Sequence, residues 1–342
     1  MSFATTKSTK LAVVLTPAIL CQCGCRGIQS ALDPAGPQSR SISGHWWLLF
    51  WVCTVVFVLV VGFMLYGLWR SKIQTPNDAP VDPAKETRTT WYVSACVVAT
   101  VVILFVFLVA SLSTAKTIFS KPGGKPLEIE VTGHQWWWEV RYPDPDSSKI
   151  VVTANEIHIP AGQPVHILLK SADVIHSFWV PKLQGKMDLI PMHSNSLWMQ
   201  ADFPGVYRGQ CAEFCGHQHA HMSFLVIAEP LADFNQWRDQ QIQSGPPPAD
   251  PVLRKGQHVF LSSSCVLCHT LRGTTASATL APDLTHFASR HTIAAGTLSN
   301  DRASLERWIV NSQGVKPGNK MPPNDLNPED LQNLLSYLGS LK

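Results

Sequence analysis

The chain has 342 residues, 45% of them apolar and 15% charged, and a formal net charge of +3. This length allows about two or three domains, since one domain commonly takes about 100 to 200 residues. The small net charge and the lack of a basic tract argue against nucleic acid as a partner, because phosphate binding needs clustered cations.

The N-terminal segment has the layout of a secretory signal. A short apolar stretch ending at Leu20 is preceded by two lysines and followed by three cysteines. We therefore expect residues 1–25 to form a leader segment. Cys25 is a candidate for a lipidated first residue, although Gln22 stands where a lipobox has an aliphatic residue. A simple cleaved or retained leader is the alternative.

Two apolar runs, Trp46 to Trp69 and Trp91 to Leu112, predict a transmembrane hairpin over residues 45–113. Each run is long enough to cross a hydrocarbon layer of ~30 Å, which takes about 20 residues. Cys53 and Cys96 lie inside these runs, and we expect them to be small buried hydrophobes. Two core helices of a soluble protein are the alternative.

The charges around the hairpin predict its orientation. Four basic residues flank or lie in the loop between the two runs, namely Arg70, Lys72, Lys85 and Arg88. Positive loops stay in the cytoplasm, so the chain after Leu112 is expected on the outer face.

Residues 127–229 consist of short alternating segments rich in β-branched residues and separated by Pro and Gly. This pattern predicts an antiparallel β-sandwich or barrel. Residues 230–250 follow as a polar helix, from Leu231 to Gln243, and a stiff Pro-rich linker, from Gly245 to Pro248.

Residues 251–342 show helical patterns and little strand signal, which predicts a separate all-α domain. Asn300 is the expected N-cap of a helix that runs through Trp308. Asn327, followed by Pro328, is the expected N-cap of the last helix.

The segment from Cys211 to Met222 is dense in metal-binding side chains, with two Cys, three His, one Glu and one Met. Thiolates and a thioether beside imidazoles favour copper, and His176 adds one more imidazole at the end of a strand. A disulfide between Cys211 and Cys215 is one alternative. A closed zinc site of two Cys and two His is another.

A second motif, C-V-L-C-H, is formed by Cys265, Cys268 and His269. At this spacing two thiols bond haem and the adjacent imidazole becomes an axial ligand. Met321, in G-N-K-M-P-P, is the candidate sixth ligand. Two histidines are the alternatives, namely His286 and His291.

The first of these segments resembles the metal loop of subunit II of cytochrome c oxidase, whose pattern is C-x-E-x-C-x-x-x-H-x-x-M. The strand D-V-I-H-S-F-W-V-P and the segment G-H-Q-W-W-W at 133–138 are similar to the same family, so the resemblance covers about residues 45–230. It implies a cupredoxin-like Greek-key sandwich that holds a dinuclear copper centre, called CuA. The implied ligands are His176, Cys211, the backbone carbonyl of Glu213, Cys215, His219 and Met222, with both cysteines bridging the two ions.

The same resemblance implies roles around the copper. Trp136 stands where the family has an aromatic residue at which electrons enter. The Glu213 side chain helps to bind magnesium at the contact with subunit I. Asp173 is a candidate for holding the His176 imidazole in place.

Two positions depart from the family pattern. Arg88 occupies the position of a glutamate at the mouth of a proton path, with Glu86 two residues earlier. The family's proton-entry role therefore does not carry over to Arg88, and a role of Glu86 in a proton path is left open. The segment P-M-H at 191–193 replaces the common P-G-R at a contact with subunit I.

The C-terminal segment resembles class I cytochromes c through C-V-L-C-H, through A-P-D-L at 281–284 and through the final helix. The Pro282 carbonyl is expected to orient His269. The order of hairpin, copper domain and cytochrome resembles the caa-type oxidases, in which subunit II carries its own haem c.

This resemblance implies that a cytochrome c or a quinol:cytochrome c reductase reduces the haem, that the haem reduces CuA, and that CuA reduces the haem of subunit I. Oxygen is reduced there, beside CuB, so this chain acts as one subunit of a proton-translocating oxidoreductase. Subunit III and membrane lipid are the other implied partners. The implied location is a bacterial cytoplasmic membrane, with the copper and haem domains on the periplasmic face.

No residue of this chain is expected to be catalytic, because the sequence offers no open metal position and no acid-base pair in a pocket. Three alternatives share parts of this pattern. They are the CuA-bearing small subunit of a nitric oxide reductase, a soluble nitrous oxide reductase, which the two spans disfavour, and a non-enzymatic copper carrier anchored in the membrane.

Overall fold

The computed structural model describes residues 27–70, 83–120, 126–245 and 247–342. The expected leader, residues 1–25, lies outside the described residues, as does Lys72. The chain divides into two compact units, one of them Arg40–Ser120 and the other made of the residues before and after it.

The first unit consists of two long apolar helices, α1 (Pro37–Arg70) and α2 (Pro83–Phe119). With 34 and 37 residues, each is long enough to cross a ~30 Å hydrocarbon layer at 1.5 Å per residue. Both extend beyond the predicted apolar runs. Threonines help to continue α2 at its polar start, because their hydroxyls donate to carbonyls one turn back, as Thr87 does to Pro83.

The apolar side chains of these helices, including those of Cys53 and Cys96, are exposed on the helix surfaces. The prediction that the two cysteines are buried in protein was wrong, since no other part of the described chain covers them. An apolar surface of this size needs an apolar solvent, which is what a bilayer supplies.

The second unit begins with a β-sandwich of two five-stranded sheets. Its strands are β1 (Leu127–His134), β2 (Trp137–Tyr142), β3 (Val151–Ala154), β4 (Glu156–Pro160), β5 (Val165–Ser171), β6 (His176–Trp179), β7 (Met187–Leu189), β8 (Asn195–Met199), β9 (Gly205–Cys211) and β10 (Ser223–Glu229). One sheet has the order β3-β2-β1-β5-β8 and the other β4-β10-β9-β6-β7.

The sandwich is not purely antiparallel. β1 pairs with β5 in parallel, and so does β10 with β4, while the other neighbours are antiparallel. The prediction of antiparallel pairing was therefore wrong at two places, and so was the barrel alternative. In both pairs, strands far apart in the chain become neighbours after the chain has crossed between the sheets, so a hairpin turn does not set their direction.

Aromatic packing fills the core between the sheets beneath the end where β6 and β9 meet. Trp138, Phe178 and Phe224 are almost completely buried there, and the rings of Phe178 and Phe224 stack at 4.6 Å. Large buried rings contribute strongly to core stability. They give the loops at this end a rigid base.

The segment just before α1 packs along the sandwich, which the sequence did not indicate. Asp33 forms an ion pair with Lys182 at 2.7 Å, and Gln29 donates to Gln210. Gly36 approaches the backbone so closely that a Cβ there would lie 2.2 Å from the Gln200 carbonyl oxygen. Only glycine fits at this contact.

The helix α3 (Leu231–Ile242) follows the sandwich, close to its predicted extent. The remaining elements of the unit are α4 (Pro251–Ser262), the short hairpin β11 (Thr292–Ile293) and β12 (Leu298–Ser299), α5 (Arg302–Val310), α6 (Ser312–Val315) and α7 (Pro328–Leu338). The helices α4 and α7 cross at Gly256, where a Cβ would lie 2.1 Å from the Asn333 carbonyl oxygen.

One of the two predicted helix caps is correct. Asn327 accepts from the Asp330 N–H and caps α7 as expected. The prediction for Asn300 was wrong, because its neighbour Asp301 accepts from the Ser304 N–H and caps α5. The Asn300 amide instead donates to backbone carbonyls of the preceding loop. Two good capping residues in succession leave the choice to tertiary contacts.

Candidate functional site

The pairing of β6 with β9 brings the candidate copper ligands together. β9 ends at Cys211 and β6 begins at His176, and the two strands pair where Phe178 lies opposite Cys211. Residues 211–222, which we call the metal loop, then lead from the end of β9 to the start of β10.

Five side chains of this region converge, and four of them belong to the metal loop. The sulfurs of Cys211 and Cys215 lie 3.7 Å apart. His176 Nδ1 lies 3.9 Å from the Cys211 sulfur and His219 Nδ1 lies 3.7 Å from the Cys215 sulfur. The Met222 sulfur is 3.8 Å from that of Cys215. These distances bring two thiols, two imidazole nitrogens and a thioether around one small volume.

The two cysteines are separate thiols rather than a disulfide, since bonded sulfurs lie ~2.05 Å apart. The hydrogen bond from Cys215 lowers the pKa of Cys211 to about 3. The same bond to the Cys211 thiolate raises the pKa of Cys215. The metal-free pair therefore shares one proton, and metal ions that bind both sulfurs must release it.

Asp173 orients the imidazole of His176, as expected. His176 Nε2 donates to Asp173 Oδ1 at 2.8 Å, which leaves Nδ1 free to face the sulfurs. Burial alone would raise the pKa of Asp173, but hydrogen bonds from His176, Val174 and Gln135 lower it. The carboxylate is thus charged and fixes the ring.

The Cys215 carbonyl is held from outside the loop. It accepts from Trp136 Nε1 at 2.9 Å and from Gln135 Nε2 at 2.8 Å. Trp136, singled out in the sequence, therefore touches the metal loop by a hydrogen bond as well as by packing. Gly216 makes this approach possible, since a Cβ there would lie 3.0 Å from the indole ring.

The remaining metal-loop residues divide into inner and outer groups. The Glu213 carbonyl oxygen lies 3.2 Å from the Cys211 sulfur, whereas its carboxylate faces outward, 3.8 Å from Lys186. His217 and His221 are exposed, and His221 lies 2.8 Å from Gln218.

The C-V-L-C-H motif opens onto a cavity of about 730 Å³. Cys265, Cys268, His269 and Met321 all line it. This volume is within the roughly 300 to 1,000 Å³ range of cofactor sites.

His269 has one ring nitrogen in a hydrogen bond and the other free to bind a metal ion. Its Nδ1 donates to the Pro282 carbonyl at 2.7 Å, as expected, so Nε2 is left as the free lone pair. Burial lowers the pKa of His269, which keeps the ring neutral at physiological pH. A neutral imidazole with one nitrogen occupied is the form that binds iron.

Met321 lies on a loop that is held in place by hydrogen bonds of the Met321 backbone. Its N–H donates to Asn319, and its carbonyl accepts from Ser312 and Gln313. The two alternative ligands do not line the cavity. His286 contacts the carbonyl oxygens of Gln243 and Lys342, and His291 contacts Glu156.

Residues 126–229 and 251–342 are bound to each other beside both sites. Lys316 donates to the Trp136 carbonyl at 2.7 Å, and Gln218 donates to the Pro317 carbonyl at 2.7 Å. The N–H and hydroxyl of Ser223 both donate to the Ala295 carbonyl at 3.0 Å. These contacts were not expected from the sequence, because Lys and Gln are residue types that usually lie on the surface.

Both halves of the second unit match known families. Residues 145–229 match the family described as Cytochrome C oxidase subunit II, periplasmic domain, and residues 253–342 match Cytochrome c. Cytochrome c oxidase subunit 2 of Alkalihalophilus pseudofirmus is 35% identical over 330 residues, which are 93% of each chain. The chain belongs to the cytochrome c oxidase subunit 2 family.

Other members and a solved structure are also similar. Cytochrome c oxidase subunit 2 of Bacillus sp. strain PS3 is 33% identical over 268 residues, 72% of this chain and 74% of the relative. The periplasmic domain of subunit II of cytochrome oxidase from Bradyrhizobium japonicum is 29% identical and covers 35% of this chain and 95% of that chain, with a TM-score of 0.33.

Membership of this family fixes the coarse assignments. The sandwich is a cupredoxin-like copper domain and residues 253–342 are a cytochrome c domain that binds haem. Two apolar helices anchor the chain in a membrane, and it associates with other oxidase subunits.

Proposed function

We propose that this cytochrome c oxidase subunit 2 is the subunit through which electrons enter a respiratory haem-copper oxygen reductase. They pass from a cytochrome c or a quinol:cytochrome c reductase to haem c, then to CuA, and then to the haem of subunit I. The presence of two distinct redox-cofactor sites in one compact unit carries this proposal. No acid-base machinery for oxygen chemistry is needed in this chain.

We assign the copper ligands to His176, Cys211, Cys215, His219, Met222 and the Glu213 carbonyl. The donor set fits a dinuclear copper centre, because two thiols at 3.7 Å can each bridge two ions and each imidazole adds one nitrogen. Copper held by these residues would supply a one-electron carrier. The ring of His176 is held by Asp173, so this ligand stays in place when the charge changes.

We assign covalent haem attachment to Cys265 and Cys268, with His269 and Met321 as axial ligands. The neutral, oriented His269 and the cavity between it and Met321 fit this group. A bound haem c with a His/Met pair supplies a one-electron carrier of raised potential. Apolar residues, including Phe287 and Trp308, line this cavity and suit the apolar faces of a haem.

An exposed apolar surface beside the metal loop supports contact with subunit I. Phe214, Met192, Ile175 and Ile190 are all exposed there. Met192 stands in the P-M-H segment where the family commonly has the glycine of P-G-R. Its φ of 63° lies in the left-handed region, which glycine adopts most easily. We assign the outward carboxylate of Glu213 to a magnesium ion at this contact.

The remaining assignments concern placement. We assign residues 1–25 to a leader, 45–113 to the membrane anchor, 127–229 to the copper domain, 230–250 to the helix and linker, and 251–342 to the cytochrome domain. The basic residues of the loop between the helices support a cytoplasmic position for that loop. The copper and haem domains would then lie on the periplasmic face of a bacterial cytoplasmic membrane. Subunit III and lipid contact the anchor.

Metal and haem analysis of the full chain tests this proposal. Purified in detergent and loaded with copper and haem, it should hold two coppers and one covalent haem, with a mixed-valence near-infrared band. Cys215→Ser should abolish the band and leave the haem spectrum unchanged. A single copper, a zinc ion or a Cys211–Cys215 disulfide in the active protein would overturn the copper assignment.

A further inference from the structure

The contacts between the cytochrome domain and the copper domain lie next to the candidate ligands of both cofactors. Ser223 directly follows Met222, and Gln218 directly precedes His219. On the other side, Lys316 and Pro317 lie in the loop that leads to Met321. Movement at this interface would therefore change the separation of the two redox sites.

Lys316 is the most buried cation of this interface, with 2% of its surface exposed. Its ammonium donates to the Trp136 carbonyl at 2.7 Å, in the copper domain, and to the Ala294 carbonyl at 3.1 Å, in its own domain. Burial lowers its pKa to about 7. A lysine kept in a site that disfavours its charge needs a reason other than stability.

Trp136 lies between the two redox sites and contacts both. Its indole N–H donates to the Cys215 carbonyl, and its side chain lines the cavity that opens at the C-V-L-C-H motif. Gly318 packs on the outer edge of the ring, since a Cβ there would lie 3.9 Å from Trp136 Cη2. The chain's own cytochrome domain thus lies against one edge of the ring.

We propose that Lys316 is a positioning residue that holds the cytochrome domain on the copper domain, so that Trp136 is an internal link from haem to copper rather than a contact for an outside donor. This inference rests on the proposed function. It assigns outside donors to the cytochrome domain alone. The two bonds of Lys316 join the Trp136 carbonyl to the Ala294 carbonyl of the cytochrome domain, while the indole reaches the metal loop.

Amide exchange in the full chain tests the positioning role of Lys316. Three amides donate across the interface, those of Ser223, His291 and Thr292. Lys316→Met keeps the apolar stem but leaves the Trp136 carbonyl without this donor and the Ala294 carbonyl with the Thr297 hydroxyl alone. These amides should therefore exchange about tenfold faster. Lys255→Met is the matched control, because Lys255 lies on the surface and pairs with Glu329.

The rate of internal electron transfer tests the role of Trp136. After flash reduction of the haem in the loaded chain, Lys316→Met should slow electron transfer to copper while both absorption spectra and both potentials stay unchanged. Trp136→Phe should slow the same step without faster amide exchange, because the backbone carbonyl that Lys316 binds is retained and Gln135 still holds the Cys215 carbonyl.

The outcomes separate this inference from the proposed function. If the wild-type chain does not load both cofactors, the proposed function fails, and amide exchange still reports on Lys316. If both cofactors load but Lys316→Met changes neither exchange nor rate, the positioning role is overturned. If Trp136→Phe transfers electrons at the wild-type rate, the internal link is overturned.

Discussion

Glu156, at the start of β4 in the copper domain, binds His291 of the cytochrome domain through two groups. One carboxylate oxygen accepts from the His291 N–H at 2.6 Å and the other lies 3.3 Å from His291 Nδ1. Glu156 is almost completely buried, whereas the His291 side chain is 54% exposed. The domains are thus joined by a contact that depends on the charge of one histidine.

This pair predicts a pH dependence of domain docking. The hydrogen bond with Glu156 raises the pKa of His291 above 6.5, and the charge of Glu229 acts in the same direction. A raised folded-state pKa stabilises the docked form fully below pH 6.5 and less as the pH rises through the raised value. Solvent screening keeps the effect small at this exposure.

The measurement compares melting temperatures of wild type and His291→Gln in detergent. The wild-type advantage should be larger at pH 5.5 than at pH 8.5. His158, which pairs with Glu229 at 3.0 Å, is a second histidine that contacts a carboxylate in the copper domain, so His158→Gln serves as the control. An advantage that grows with pH would contradict the assignment.

Asp173→Ala should weaken copper binding without unfolding the sandwich. The variant removes the acceptor that holds His176 Nε2, so the ring can turn its Nδ1 away from the sulfurs. Loss of such a partner typically costs about 10- to 100-fold in metal affinity. Copper titration against a competing chelator measures it. Asp144→Ala, which breaks an ion pair with Arg238, is the control and should keep the wild-type copper affinity. Equal losses of affinity in both variants would contradict the role of Asp173 in holding His176.

Met321→Ala should remove the sixth haem ligand and spare the copper spectrum. The loop is held through backbone atoms of Met321 and by Asn319, so it should persist without the thioether. The expected result is a changed visible haem spectrum and a lower haem potential. Met192→Ala, at an exposed position, is the control. If both centres of Met321→Ala changed equally, the division into two modules would be wrong.

The metal loop could be proposed from the sequence because its candidate ligands are close together in the chain. Cys211, Cys215, His219 and Met222 lie within one short segment. His176 lies far from them in the chain and was expected through the family resemblance, and the pairing of β6 with β9 brings it to them. The carbonyl of Pro282 and the carboxylate of Asp173 were also expected partners of the two histidines, and both contacts are present.

The interface was missed because its partners have no local signature. Lys316 is buried where it contacts the copper domain, and the Glu156 contact joins residues far apart in the chain. The hairpin of β11 and β12 was missed for a related reason. Its turn places Ala294 and Ala295 at φ values of 52° and 57°, a conformation that alanine sequences do not predict.

Gly296 lies in the same turn, and its substitution tests how the cytochrome domain contacts the copper domain. Its φ is +75°, and a Cβ there would lie 2.0 Å from the hydroxyl of Ser223. Gly296→Ala should cost about 1 to 2 kcal/mol in backbone strain. The free energy of unfolding should fall by about 1 kcal/mol more if the Ser223 hydroxyl loses its hydrogen bond to the Ala295 carbonyl.

Gly162→Ala is the matched control, because Gly162 has the same φ of +75° but nothing within 4 Å of an added Cβ. Both variants should lower the melting temperature of the full chain, since both strain the backbone. Only Gly296→Ala should also speed amide exchange at Ser223, whose N–H donates to Ala295 across the interface. Equal exchange in the two variants would mean that this turn does not hold the domains together.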